Sequence, residues 1–401
     1  MYKSVWIILT TCVTRRRSFY GWKKRDGFTG GFGICLGQRC GARDERGMRK
    51  SIAVSMILSV IFAVVLTTLC CVLSHQIIRW MKIPADIAEE AYAYMFVVLL
   101  GTGATVFYNM ISNILRALGD SKTPLYFLVF SSVLNIFLDI LFILPLGMGV
   151  AGAAWATILS QFLSAVLSLI VGMRRFEVLH LKKDDFANLG NAMTVHLKTG
   201  FPMGFQMSVM CIGQLAMQMV VNSLGTAAVA GYTAASKADQ LSVLVNNAMM
   251  TAISNYVAQN FGAGRKERIQ QGVRASLIQT ETFNLLMCAG ILLLRHPIVE
   301  LFMSSPTKEI YHYSDVYLTI VAPFYIVLGL LAVYRTAIQS MQNGWAPFAA
   351  CMIELVMRIS ATVGLVGMLG YTSACIASPM AWFGACALLI PCYYRMMKAW
   401  K

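Results

Sequence analysis

The run "SIAVSMILSVIFAVVLTTLCCVLS", residues 51–74, contains no charged residue. About 20 apolar residues in a helix cross the hydrocarbon core of a bilayer, so this run is long enough to span. A second run, residues 124–172, is long enough to span twice and holds one charge, Asp139. Within lipid every backbone N–H and C=O must be bonded inside the protein, which leaves helices and closed barrels as spanning structures. A barrel strand alternates polar and apolar residues in segments of about ten, and these runs do not alternate. The chain therefore reads as an all-α polytopic membrane protein. Its 58 % hydrophobic and 13 % charged residues agree, since soluble domains run near half and a quarter.

Spans are predicted near 50–75, 90–116, 123–147, 150–172, 199–222, 227–255, 273–296, 313–341, 346–368 and 372–394. The basic residues then fall on alternate loops. One side carries nineteen, including Arg39 to Lys50, Arg174 to Lys198, Arg265 to Arg274, and Arg395 to Lys401. The other carries Arg79, Lys82, Arg295 and Lys308 among acids such as Asp86 and Glu89. Cytoplasmic loops are the basic ones, so the first side and the C-terminus are placed in the cytoplasm of a cell-membrane protein. The net charge of +15 is a topology signal, and no nucleic-acid partner is expected. The eleven cysteines form no CxxC pair, so neither a zinc site nor a disulfide framework is indicated.

The loop "GQRCGARDERGMRKS" (37–51) returns as "AQNFGAGRKERIQQG" (258–272), 221 positions later. "LRALGDSKTP" (115–124) and "IQSMQNGWAP" (338–347) repeat at a spacing of 223, and Tyr94/Tyr317 and Gly147/Gly370 share that register. Six predicted spans lie between the copies. An even number gives both copies one orientation, a parallel repeat about an axis along the membrane normal. Two such bundles can rock against each other and expose a cavity alternately, which is the architecture of a transporter. The second copy has two spans before its loop, whereas the first has only 36 residues. There "VWIILTTCV" (5–13) is too short to cross, and "FYGWKKRDGFTGG" (19–31) is polar and Gly-rich. Two helices of the first copy are expected to be missing, with "TGGFGICL" (29–36) as the tail of the second.

The segments "GQRCGARDERGMRKS", "NILRALGDSKTP", "LNIFLDILFI", "GVAGAAWATILSQ", "GFPMGFQMS" and "AASKADQL", in that order, resemble the multidrug and toxic compound extrusion (MATE) transporters, nearest to their bacterial DinF-like branch. The resemblance covers about residue 29 to the end. It implies two six-helix lobes, of which this chain holds the third to twelfth helices. It also implies export of small organic, often cationic, compounds against Na⁺ or H⁺ influx. No cofactor beyond that ion is expected, and the expected state is a monomer. The expected organisation is an atypical segment 1–36, an amino-terminal lobe 37–172, a cytoplasmic linker 173–198 and a carboxy-terminal lobe 199–401.

An ionisable residue at bilayer depth is a candidate functional residue because placing it there is costly. Asp139 lies mid-span with Asn135 one turn before it, on the same face. A carboxylate and an amide oxygen on one face suit Na⁺, and a carboxylate withdrawn from water takes up a proton more readily. Thr157 on the next span can add a hydroxyl. The family's amino-terminal cation site resembles this set, with a further Asp on a first helix that has no counterpart here. The other reading of Asp139 is a carboxylate satisfied by neighbouring hydroxyls and amides.

Glu354 and Arg358, four apart in an apolar span, are expected to neutralise each other as a structural pair, with a second coupling or substrate site as the alternative. Lys237 and Asp239, two apart, read either as structural polar residues or as part of a cavity. Gln206, Gln214 and Gln218, at helical spacing, either line a cavity or bond between helices. Some family members carry a Glu eight residues past the Pro of the seventh helix. Here Pro202 leads to Met210, so that site is not carried over.

No enzyme is indicated. The five His fall at span ends or in loops, and neither HExxH nor a Walker loop occurs, so any pumping is secondary. Two alternatives stand beside the exporter. One is a lipid-linked saccharide flippase, which would need a more cationic interior than Lys237, Arg335 and Arg358 supply. The other is a non-functional fragment, for which the missing helices argue.

Overall fold

The computed structural model describes residues 17–74, 76, 88–303 and 306–400, and every regular element there is helical. The apolar stretch 5–13 and the loop charges Arg79, Lys82 and Asp86 lie outside the described residues.

Helix α1 (Arg17–Gly41) turns sharply into α2 (Glu45–Val72). Asp44 makes that turn: its carboxylate accepts the Gly47 amide at 2.8 Å and pairs with Arg39 at 3.1 Å. This is an N-cap satisfying one of the free donors of a helix start. The Gly-rich stretch 19–31, which does not read as a span in the sequence, is helical here, and Gly31 to Gln38 of α1 are buried. Packing overrides its weak helix propensity. A Cβ on Gly31 would lie 2.6 Å from the Gly200 Cα. Two helices therefore meet backbone to backbone at this point, the small-residue contact that packs helices in lipid.

The first part of the chain continues with α3 (Ala88–Leu100), α4 (Thr102–Ala117), α5 (Lys122–Ile143) and α6 (Gly149–Arg175). Then come two short 3₁₀ turns, Glu177–Leu179 and Lys183–Phe186, and α7 (Gly190–Ser223). The second part holds α8 (Thr226–Gly262), α9 (Lys266–Leu293), the short α10 (Arg295–Phe302), α11 (Lys308–Val321) and α12 (Tyr325–Ser340). It ends with α13 (Trp345–Gly364), the single turn α14 (Val366–Leu369) and α15 (Tyr371–Ala399). All ten predicted spans have a helix. Among the described residues eight helices are long and apolar enough to cross a membrane, or nine if the bent pair formed by α3 and α4 is one span. The helix α8, predicted as a span, is absent from that set.

The chain divides into two compact units, one ending at Gly204 and the other beginning at Phe205, within α7. The segment expected as a linker, 173–198, holds the end of α6, both 3₁₀ turns and the first turns of α7. Its Leu179 is buried against Leu36, Ile114 and Leu115 of the first unit. The second unit is built around Tyr232, Tyr317, Tyr325, Leu318, Ile338 and Leu389.

The repeat is visible in the backbone. Left-handed residues occur at Arg43 (φ 56°) and Gly264 (φ 68°), at Gly119 (φ 96°) and Gln342 (φ 66°), and at Gly147 (φ 62°) and Gly370 (φ 51°). These pairs have the 221 and 223 spacing of the sequence repeat, and each includes a glycine, which enters that region without a Cβ penalty. The break between α3 and α4, a bend of 43°, has its counterpart in the 3₁₀ turn Ala322–Phe324 between α11 and α12. Asp120 accepts the Thr123 amide at 2.9 Å, and Asn343 in the same register accepts the Ala346 amide at 3.2 Å. Both copies thus start the following helix with the same side-chain cap.

Candidate functional site

In the first unit α5 and α6 form a tight hairpin. Gly147 (φ 62°) and Gly149 (φ 58°) turn the chain between them, and this brings Asn135 opposite Thr157. The Asn135 Nδ2 donates to the Thr157 Oγ1 at 3.3 Å, and that hydroxyl donates to the Ala153 carbonyl at 3.0 Å. The amide therefore uses its donor on Thr157 and keeps Oδ1 for another partner. Asp139 lies one turn further along α5. It is half-buried, and its Oδ1 is shielded from solvent without a hydrogen-bond partner. The structure thus brings Asn135 and Thr157 together and leaves one oxygen of Asp139 unsatisfied. An oxygen of a carboxylate shielded from water without a partner is costly to leave charged, so the arrangement can accept a small cation or a proton. Among the described residues no group of three or more His, Cys, Asp or Glu could hold a metal ion. Any cation here would rest on mixed carboxylate, amide and hydroxyl oxygens.

The expected Glu354–Arg358 pair does not form. Glu354, on α13, is bonded instead to Arg335 of α12, and both side chains are buried. The helix crossing brings the guanidinium directly onto the carboxylate, which an i,i+4 approach along one helix face does not match. Arg358 is buried with its Cδ against Gly213, where a Cβ would lie 3.2 Å away. Its backbone carbonyl accepts the Thr362 hydroxyl at 2.7 Å. Asp239 is an electrostatic neighbour of Arg358 and of the phenols of Tyr317 and Tyr325. Lys237, two residues away on α8, is half-buried. Gln206 resolves toward the packing reading: its Oε1 accepts from Gln339 at 2.7 Å. Gln218 donates to Asn222 along its own helix at 2.8 Å, and Gln214 is half-buried.

His196, at the start of α7, is structural. Its Nδ1 lies 2.8 Å from the Ala192 carbonyl and so carries the proton, and its Nε2 accepts from Ser51 at 2.9 Å. Two features were missed in the sequence. One is the pairing of Arg335, read there only as one of three interior cations, with a partner nineteen positions away. The other is Glu281 with Asn246 and Asn284, for which the detectable signal was an acid inside the predicted span 273–296.

Comparison with known proteins places these observations. The MatE family model matches residues 27–141 and 202–363. The probable multidrug resistance protein YpnP of Bacillus subtilis is 30 % identical over 380 residues, covering 91 % of this chain and 81 % of YpnP. The probable multidrug resistance protein NorM of Thermotoga maritima is 27 % identical over 326 residues, covering 80 % of this chain and 70 % of NorM. Among solved structures, the outward-facing conformation of a multidrug resistance MATE family transporter superposes with a TM-score of 0.90 at 24 % identity, over 96 % of this chain and 86 % of that one.

Proposed function

Because the chain belongs to the MatE family, we propose that it is a secondary active exporter of small organic compounds, driven by influx of Na⁺ or H⁺ at Asp139. The observation that carries this reading is the shielded, unpartnered Oδ1 of Asp139, one turn from the Asn135–Thr157 bond. A cation or proton bound there neutralises the carboxylate. The conformation that closes the site is then favoured by the occupied form and disfavoured by the empty one. A ligand that prefers one of two states shifts their balance by that difference, and this is how an ion gradient drives a conformational cycle. The Asn135–Thr157 bond fixes the hydroxyl one helical turn from Asp139 on α5. The MatE match favours extrusion over the flippase reading. The uneven loop charge supports a cell-membrane location with the basic loops and the C-terminus in the cytoplasm.

The test is dye accumulation in an efflux-deficient bacterial host. Cells producing the chain are expected to hold less of a cationic dye than vector controls, and an ionophore that collapses the ion gradients is expected to abolish the difference. Equal accumulation in both strains, with the protein present in the membrane fraction, would refute the reading.

A further inference from the structure

Glu281 lies near the middle of α9, inside a helix long and apolar enough to cross the membrane. Both of its carboxylate oxygens are shielded from solvent, and neither has a hydrogen-bond partner. The two asparagines beside it are bonded to other groups. The Asn246 Nδ2 donates to the Asn284 Oδ1 at 2.9 Å, and the Asn284 Nδ2 donates to the Tyr325 carbonyl at 2.9 Å. Gly329 on α12 makes room for the acid: a Cβ there would lie 2.6 Å from the Glu281 Oε1. The carboxyl therefore rests against bare backbone in a space shaped for it.

Among the described residues, the ionisable groups around it offer no counter-charge. Cys386 on α15 is a direct electrostatic neighbour. Tyr325 contacts the same Asn284 and has Asp239 of α8 and Cys288 of α9 beside it. Arg335, which shares Cys386 as a neighbour, is bonded to Glu354. A bare carboxylate in such a place is strongly disfavoured. A metal cation needs several oxygen ligands, as hard cations do, and the asparagine oxygens and the Tyr325 carbonyl beside the carboxyl already accept hydrogen bonds. A proton needs no further ligand. It leaves one hydroxyl donor unmet, a much smaller cost than an isolated charge.

We infer that Glu281 is a proton-binding carboxyl of the second unit, separate from the Asp139 site. The proton comes from water onto a carboxylate oxygen and returns to water when the carboxyl is next exposed. The positions in register in the first unit, Leu58 to Val60, hold no acid, so this site belongs to the second unit alone. It does not depend on Asp139 acting as the coupling residue.

The experiment is covalent labelling of the purified full chain in lipid nanodiscs with dicyclohexylcarbodiimide, which adds to protonated carboxyls in apolar surroundings. The adduct is mapped by peptide mass spectrometry across a pH series. Ile278 and Leu285, one turn to either side of Glu281, are exposed, and this gives the apolar reagent a route from the lipid. The expected result is an adduct on Glu281 at neutral pH that declines as pH rises. Glu281→Gln is expected to lose that adduct together with the infrared carbonyl band of a protonated acid. No adduct on Glu281 at any pH, or an adduct indifferent to pH, would overturn the inference. If Glu281→Gln fails to fold, the wild-type map alone still decides. An Asp139→Asn chain that no longer exports dye but still labels at Glu281 separates this site from the proposed coupling site.

Discussion

Asn135 and Thr157, on the two arms of a helical hairpin, are joined by a 3.3 Å hydrogen bond one turn from the only charge in the run 124–172. The bond fixes the hydroxyl against Asn135, one helical turn from Asp139 on α5. Thr157→Val keeps the shape of the side chain and removes that oxygen. One lost polar contact is worth about 1 kcal/mol, so the ion concentration for half-maximal efflux is expected to rise by roughly fivefold. Titrating the driving ion against dye efflux measures it. An unchanged half-saturation would show that Thr157 takes no part.

The buried Arg335–Glu354 bond makes a different kind of prediction. Glu354→Ala leaves a buried guanidinium without its counter-charge, and such losses cost about 3–5 kcal/mol. The thermal midpoint in detergent is expected to fall sharply, with reduced yield. Replacing both residues by apolar ones, Arg335→Met with Glu354→Leu, is expected to recover most of the loss. A double variant as unstable as the single one would contradict the pairing.

Gly30 and Gly31 are neighbours with opposite expectations. A Cβ on Gly31 would strike the Gly200 backbone, whereas one on Gly30 would meet only the end of Met203 at 3.7 Å. Gly31→Ala is expected to destabilise by about 1–3 kcal/mol through overpacking, and Gly30→Ala to be nearly neutral. Melting curves of the two variants decide this. Equal midpoints would mean that α1 and α7 do not meet as closely as described.

Asp120 carries the pH prediction. Burial opposes its ionisation, but the Thr123 hydroxyl and amide and the Arg175 guanidinium outweigh that and hold its carboxyl below the usual carboxylate range. With the folded value depressed, its contribution to stability is fully present above the ordinary aspartate value and is lost as pH falls through the folded one. Asp120→Asn is therefore expected to melt lower than wild type at neutral pH, with the gap closing in strong acid. A gap that widens on acidification would have the wrong sign.

How much of this could be read from the sequence depended on whether a signal was local. The helices were legible because lipid permits few alternatives, and the repeat because its turns need glycine, such as Gly264 and Gly119, at fixed places. Asp139 stood out as a lone charge in a long apolar run. The partner of Glu354 did not, because i,i+4 spacing pointed to Arg358 while a helix crossing supplied Arg335. Glu281 sits in "QTETFN", where polar neighbours hide it, and only the packing of α8 and α12 shows that none of them reaches its carboxylate. The polar, Gly-rich residues of α1 did not read as a span because burial of its second half is a tertiary event.

The central claim is that the carboxylate of Asp139 couples ion influx to export. The most direct test reconstitutes the wild-type and Asp139→Asn chains at equal density in proteoliposomes, imposes a Na⁺ or H⁺ gradient and follows dye movement. Wild type is expected to move dye only when the gradient is present, and Asp139→Asn to show no gradient-driven movement. Movement by Asp139→Asn at the wild-type rate would contradict the account.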